Sequence, residues 1–378
     1  MRPHRTNLDP AAPPPISSPM QRRSFLKFSA LAAAIGAGAT GSAMAYARTH
    51  NPYYSGPESD HFDGTRFFNP DGSAPKGFSD LLKWQFGGGR TPWPDTAKSA
   101  HAPAKPAERV EGDALTVTMV GHATLLIQTA GLNILTDPVW SARASPVAFA
   151  GPKRVTAPGI AFQDLPPVDL VLLSHNHYDH LDVTTLKRLA QAHDPLMITP
   201  LGNDAIVKTE APAMRVMTAD WGEAIRSGPA TIHFEPCHHW SARGMNDRSM
   251  ALWAAFVIET PGGKILHIGD TGFDKGRPYA NARARHGDFR LAILPVGAYE
   301  PRWFMKDQHQ NPAEAIEGFL LSGASHALGH HWGTFRLTNE GRDAPREVLE
   351  AELARQGVAP ERFLPMEPGQ VWNAPRPA

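Results

Sequence analysis

A layered α/β domain is the fold class this sequence predicts, and three observations carry that expectation. Apolar runs of strand length recur along the chain, bounded by turn residues. Helical patterns opened by Asp or Pro lie between them. The hydrophobic share, 42%, is enough for a substantial core, and no short fixed period marks a repeat array. Strands separated by helices bury their sheets under those helices.

The elements follow in order within a domain expected to span residues 114–378. Strands are predicted at 115–120, 124–128 and 133–136, parted by turn residues. Residues 168–174 form an apolar run and read as a buried strand. Asp182 is placed to cap a helix through about Ala192, with Leu186, Leu189 and Ala190 on one face. Further strands are expected at 196–199, 215–218, 231–234, 251–259, 264–268, 291–296 and 324–328. Helices are expected at 280–285, 312–321 and 345–355, and Pro312 and Pro345 suit a first helical turn.

Two segments precede this domain. Residues 1–45 read as a signal peptide of the twin-arginine type. Arg22-Arg23-Ser24-Phe25-Leu26-Lys27 leads into a weakly apolar Ala/Gly run, and Ala43-Met44-Ala45 fits a small-x-small cleavage site. The run is too short and polar to span a bilayer well, so the expected location is the periplasm. Residues 46–113 are expected to be an extended arm and linker. They are rich in Pro and Gly, and their aromatic residues argue against free disorder.

Positive and negative side chains balance at 37 each, which gives no electrostatic footprint for a nucleic-acid partner. The single cysteine, Cys237, excludes an internal disulfide framework.

The chemistry is concentrated in His175-Asn176-His177-Tyr178-Asp179-His180, which directly follows the buried strand at 168–174. Residues two apart on an extended segment point the same way, so His175 and His177 can bind one metal. Asp179 and His180 can then face a neighbouring metal from the turn. Imidazole and carboxylate suit zinc first, with iron or manganese as alternatives. One hexapeptide cannot complete two sites. Three later strand ends offer more ligands: His238-His239-Trp240, Gly269-Asp270 and His330-His331-Trp332. The shared order "His then Trp" selects His239 and His331, leaving His238 and His330 for the core or an outer position.

These motifs, in this order, resemble the metallo-β-lactamase superfamily, which implies a four-layer αββα sandwich. The resemblance implies two Zn²⁺ ions per chain. His175, His177 and His239 hold one, Asp179, His180 and His331 hold the other, and Asp270 bridges them. It also implies that Asp137 braces the metal loop. A narrower similarity joins the Asn176–Asp182 stretch, Ser145-Pro146 through Gly151-Pro152-Lys153-Arg154, Gly297-Ala298-Tyr299-Glu300-Pro301-Arg302-Trp303-Phe304-Met305-Lys306 and His331-Trp332-Gly333-Thr334-Phe335 to the N-acylphosphatidylethanolamine-hydrolysing phospholipase D family. That similarity implies a phosphodiesterase acting on a phospholipid through a metal-bridging hydroxide. It names Asp179, Asp270 and His309 as catalytic and implies a homodimer. Apolar side chains at Val139-Trp140, 147–150 and 303–305 are expected around the mouth for peripheral membrane contact, with Lys153 and Arg154 available to headgroups. The alternatives are another hydrolase on the same scaffold, such as a lactonase on a sugar-phosphate lactone, and a metal-binding protein without turnover.

Overall fold

The structure is a computed structural model that describes residues 50–70 and 76–375. The expected signal peptide, residues 1–45, lies outside the described residues.

Two mixed sheets organise the domain. The first contains β1 (Leu115–Gly121), β2 (Thr124–Thr129), β3 (Leu132–Thr136), β4 (Leu170–Leu172), β5 (Leu196–Pro200) and β6 (Arg215–Ala219), with β14 (Val371–Asn373) on the edge beside β1. The second contains β7 (Ala224–Ser227), β8 (Ala230–Glu235), β9 (Ala255–Thr260), β10 (Gly263–His267), β11 (Leu291–Pro295), β12 (His326–His330) and β13 (Phe363–Pro365). Each sheet has the same plan. Three antiparallel pairings on one side (β14–β1–β2–β3 and β7–β8–β9–β10) give way to three parallel pairings on the other (β3–β4–β5–β6 and β10–β11–β12–β13).

Side-chain alternation along the strands produces four layers. Leu125 and Ile127 of β2 pack with Ile232, Phe256 and Ile293 of the other sheet, so the main core lies between the sheets. Leu126 of β2 points the other way, to Leu186 and Leu189 of α2 (Val183–Ala192) and Ile206 of α3 (Asn203–Glu210). On the second sheet, Ala292 and Leu294 of β11 face Tyr279 of α4 (Arg277–His286), Phe319 of α6 (Pro312–Ser322) and Leu353 of α7 (Ala344–Gln356). Strands covered on both faces read as unbroken apolar runs, as β11 does.

Local chemistry sets the helix ends. Asp182 accepts from the N–H groups of Thr184 and Thr185 and so caps α2. Asn311 and Glu314 form a reciprocal capping box at α6, and Gly323 closes that helix at φ 69°.

Three expectations are corrected. The strand at 168–174 shortens to Leu170–Leu172, because the Ser174 N–H turns to the carboxylate of Asp137. The strand at 251–259 begins only at Ala255, because Leu252 and Ala254 donate instead to the carbonyls of Leu201 and Ser174, just past the ends of β5 and β4 in the other sheet. The arm is not wholly extended: α1 (Phe78–Phe86) lies within it, and Trp84 stacks on Phe304 of the short helix α5 (Arg302–Met305) at 5.0 Å. The aromatic content of the arm has a structural cause, since Phe62 and Phe67 are buried in the core beneath α4, α6 and α7.

Candidate metal centre

The parallel strands of both sheets deliver their carboxyl ends to one place. β3 leads to Asp137, β4 to His175–His180, β10 to Asp270 and β12 to His331. His239 comes from the loop after β8. Glycines permit the close approaches. A Cβ on Gly297 would sit 2.1 Å from the His331 carbonyl, and one on Gly269 (φ 63°) would sit 2.8 Å from Ser174 Cβ. His122, Asp137 and His331 themselves have positive φ, a strained choice for residues with a Cβ that concentrates at functional sites.

All seven residues expected to hold metal meet in one cluster. His175, His177 and His239 form one triad, and Asp179, His180 and His331 belong to a second group. Asp270 stands between them. Its Oδ2 lies 3.0 Å from His331 Nε2, 3.2 Å from His180 Nε2, 3.8 Å from His239 Nε2, 3.9 Å from His309 Nδ1 and 4.0 Å from His175 Nε2.

Neighbours fix which nitrogen each ring presents. His175 Nδ1 donates to Ser174 Oγ at 2.9 Å, because that hydroxyl has given its own proton to Asp137. His180 Nδ1 donates to Asp137 Oδ2 at 2.8 Å. His239 Nδ1 donates to the Gln308 carbonyl at 3.0 Å. All three rings therefore turn Nε2 inward. His177 presents Nδ1 instead, 2.8 Å from His175 Nε2 and 3.3 Å from His239 Nε2.

The donor set fits metal ions. Tetrahedral zinc with its usual bond lengths separates neighbouring ligand atoms by about 3.3 Å. In the second group, His180 Nε2 to His331 Nε2 is 3.2 Å, His331 Nε2 to Asp179 Oδ2 is 3.4 Å and His180 Nε2 to Asp179 Oδ2 is 3.6 Å. Asp270 Oδ1 is buried without a protein partner, as expected of a carboxylate that serves two sites.

Electrostatics differ between the two groups. Burial, reinforced by neighbouring imidazoles, holds His175 well below the ordinary histidine range and lowers His177 and His239 to about 3. These rings are neutral and ready to ligate. Burial opposes charge at His180 and His331 too, but Asp270 and Asp179 outweigh it. His180 is raised well above its ordinary value and His331 to about 9. A metal in the second group must displace protons, so its affinity depends on pH.

One site residue escaped the sequence reading. His122, in the turn between β1 and β2, donates from Nε2 to Asp179 Oδ2 at 2.9 Å, and its carbonyl accepts the His331 N–H. It belongs to the second group by position. A lone histidine in Gly121-His122-Ala123-Thr124 gives no spacing signal by which to find it.

The adjacent histidines resolve as expected. His330 is buried at the end of β12, and His238 turns away to the Asp307 carbonyl at 2.6 Å. The two Trp residues differ in use: Trp240 packs edge-on to His177, whereas Trp332 joins the core. His309 lies at the cluster with Nδ1 lacking a hydrogen-bond partner. Arg302 accounts for its position, since Nη1 donates to the His309 carbonyl at 2.8 Å while Nη2 pairs with Glu314. The 299–306 segment thus anchors the residues that follow it: the Met305 carbonyl accepts the N–H groups of Gln308 and His309, and the Gln308 carbonyl orients His239.

The proposed mouth is partly corrected. Phe149 and Trp303 are exposed and Lys153 is at the surface, but Val139 and Met305 are buried. Arg154 is also spent internally: its Nε and Nη2 donate to the Ser141 and Val139 carbonyls, and its guanidinium covers Phe335.

Comparison with known proteins agrees with this geometry. Residues 132–332, more than half of the chain, match the family model of a beta-lactamase superfamily domain. The N-acyl-phosphatidylethanolamine-hydrolyzing phospholipase D 1 of Caenorhabditis elegans is 36% identical over 271 residues, covering 69% of this chain and 76% of its own. A mitochondrial N-acyl-phosphatidylethanolamine-hydrolyzing phospholipase D of Saccharomyces cerevisiae is 35% identical over 247 residues, covering 64% of this chain and 52% of its own. A possible metal-dependent hydrolase from Veillonella parvula shares the fold with a TM-score of 0.54 at 15% identity, over 68% of this chain and 99% of that one. The αββα sandwich is that of the metallo-β-lactamase fold. This chain belongs to the metallo-β-lactamase superfamily of metal-dependent hydrolases, as a member that resembles the N-acyl-phosphatidylethanolamine-hydrolysing phospholipases D.

Proposed function

We propose that this protein is a phosphodiesterase of the phospholipase D type. It would hydrolyse a phospholipid such as N-acylphosphatidylethanolamine to phosphatidic acid and an N-acylethanolamine. The observation that carries the hydrolytic reading is the shared Oδ2 of Asp270, which approaches imidazoles of both ligand groups. The phospholipid comes from the relatives' activity.

His175, His177 and His239 would hold one cation, and Asp179, His180 and His331 the other, with Asp270 between. Two zinc ions, or iron or manganese in their place, would supply an activated water and neutralise charge on the phosphoryl oxygens. The chain itself positions the substrate. Asp179 and His309 keep 14% and 11% of their side chains exposed and His177 is half-buried, against 2% or less for His175, His180, His239, Asp270 and His331, so the phosphodiester would approach from the side of Asp179, His177 and His309. His309 Nδ1, which makes no hydrogen bond within the protein, is available to hydrogen-bond the phosphoryl group. No thiol takes part, because Cys237 is buried and burial pushes its pKa up. Exposed Phe149 and Trp303 support peripheral contact with a lipid surface.

The test is mass spectrometry of lipid extracts incubated with the metal-loaded protein. Accumulation of N-acylethanolamine and phosphatidic acid supports the reading, and unchanged phospholipids overturn it.

A further inference from the structure

Outside the ligands, one side chain holds both ends of the metal loop. Arg243, half-buried, donates from the same Nη1 to the Asn176 carbonyl at 3.0 Å and to the Leu181 carbonyl at 2.9 Å. These carbonyls bracket the segment that carries His177, Asp179 and His180. The guanidinium carbon lies 4.0 Å from the centroid of the Tyr178 ring, and Tyr178 Oη donates back to the Arg243 carbonyl at 2.9 Å. The backbone of Arg243 is fixed in turn. Its N–H and that of Gly244 donate to the Asp247 carboxylate, which also accepts from Tyr53 Oη of the arm at 2.8 Å.

We propose that Arg243 is a positioning residue that staples the metal loop closed and so sets the spacing of His177 against Asp179 and His180. The last backbone bonds from this stretch to neighbouring strands are the Leu173 N–H to the Ile198 carbonyl and the Ala254 N–H to the Ser174 carbonyl, both before the loop's ligands begin. The loop's internal backbone bonds, from His180 and Leu181 to His177, tie only one turn. The two ends are brought together by Arg243. Its geometry uses what arginine has and lysine lacks: a planar head that stacks on the Tyr178 ring while protons fixed in that plane reach the two carbonyls. Of the ligands delivered from other elements, His239 is held by the Gln308 carbonyl and His331 by the His122 carbonyl, and neither contact involves the staple.

The inference rests on the reading of these residues as metal ligands, and the experiment separates the two. Wild-type protein and Arg243→Lys are loaded with cobalt, the visible spectrum is recorded, and metal retention is titrated against a chelator. Thermal melting of both metal-free proteins is measured alongside. The expected result is a changed ligand-field spectrum and a loss of affinity of about 10- to 100-fold, the range for partners that orient ligands, with metal-free melting little changed. An unaltered spectrum and affinity in Arg243→Lys, with two cobalt ions bound by the wild type, overturns the staple and leaves the metal centre standing. No cobalt in the wild type overturns the metal centre itself, and the staple with it. If Arg243→Lys does not fold, Tyr178→Leu removes the aromatic face instead, and the same two readouts are expected to move in the same direction.

Discussion

Asp137 Oδ2 lies 2.8 Å from His180 Nδ1, with both side chains fully buried. The same carboxylate accepts the N–H and hydroxyl of Ser174 at 2.7 Å each. One aspartate therefore turns His180 toward the second ligand group and, through Ser174, turns His175 toward the first. Asp137→Ala should lower metal affinity at both groups by about 10- to 100-fold, measured by chelator competition. Unchanged affinity would show that ring orientation is set elsewhere.

His122 acts on one group only, since its imidazole donates to Asp179 and packs against the His331 ring, centroid to centroid 4.0 Å. His122→Phe keeps the ring volume and removes the donor. The second metal equivalent should then be lost at about tenfold lower chelator concentration than in the wild type, while the first is retained as before. Equal weakening of both equivalents would contradict the assignment.

The metal-free protein should be acid-sensitive. His122, His177, His239 and His309 are held at about 3, chiefly by burial, while the unfolded chain takes up protons near the ordinary value. The stability tied to their neutral form is complete above about 6.5 and is lost as pH falls toward 3. Each contributes a slope of up to about 1.4 kcal/mol per pH unit. His331, raised to about 9 by Asp270 and Asp179 against its burial, works the other way and loses its contribution as pH rises through that value. His180, raised well above its ordinary value, sides with His331, but the four lowered histidines, joined by His175, outnumber these two and make the acid limb the steeper. Denaturant midpoints of chelator-treated protein should drop between pH 7 and pH 5; a flat or rising midpoint would count against neutral imidazoles in the cluster.

Export through the twin-arginine route is expected from Arg22 and Arg23. Replacing both with Lys should trap the precursor in the cytoplasm, as fractionation would reveal. Normal export of that variant would remove the case for the twin-arginine route.

The strands and helices that bury a long apolar face were readable in the sequence, as β1–β3, α2, α6 and α7 demonstrate. The elements missed are those defined by their partners. β13 and β14 have only three residues each and exist because β12 and β1 offer free edges. Helix α3 follows Gly202 and has no acceptor side chain at its cap, so no local signal announces it. In the site, the hexapeptide and the strand-end residues carried enough pattern to name seven side chains that the fold brings together. His122 and Arg243 did not, because a hydrogen bond between residues 57 positions apart, or a guanidinium folded over a distant loop, has no spacing in sequence. Arg154 shows the opposite error: a basic residue in a surface-like stretch was assigned to substrate, whereas three dimensions assign it to its own loop's carbonyls.

The most direct test of the central claim is hydrolysis of N-acylphosphatidylethanolamine by the zinc-loaded protein and by its Asp270→Asn variant, with both products quantified. The account predicts release of N-acylethanolamine and phosphatidic acid in equal amounts, abolished by chelation, and a rate at least about 100-fold lower when the shared carboxylate is removed. Undiminished turnover in Asp270→Asn, or release of neither product by the wild type with both zinc ions bound, would contradict it.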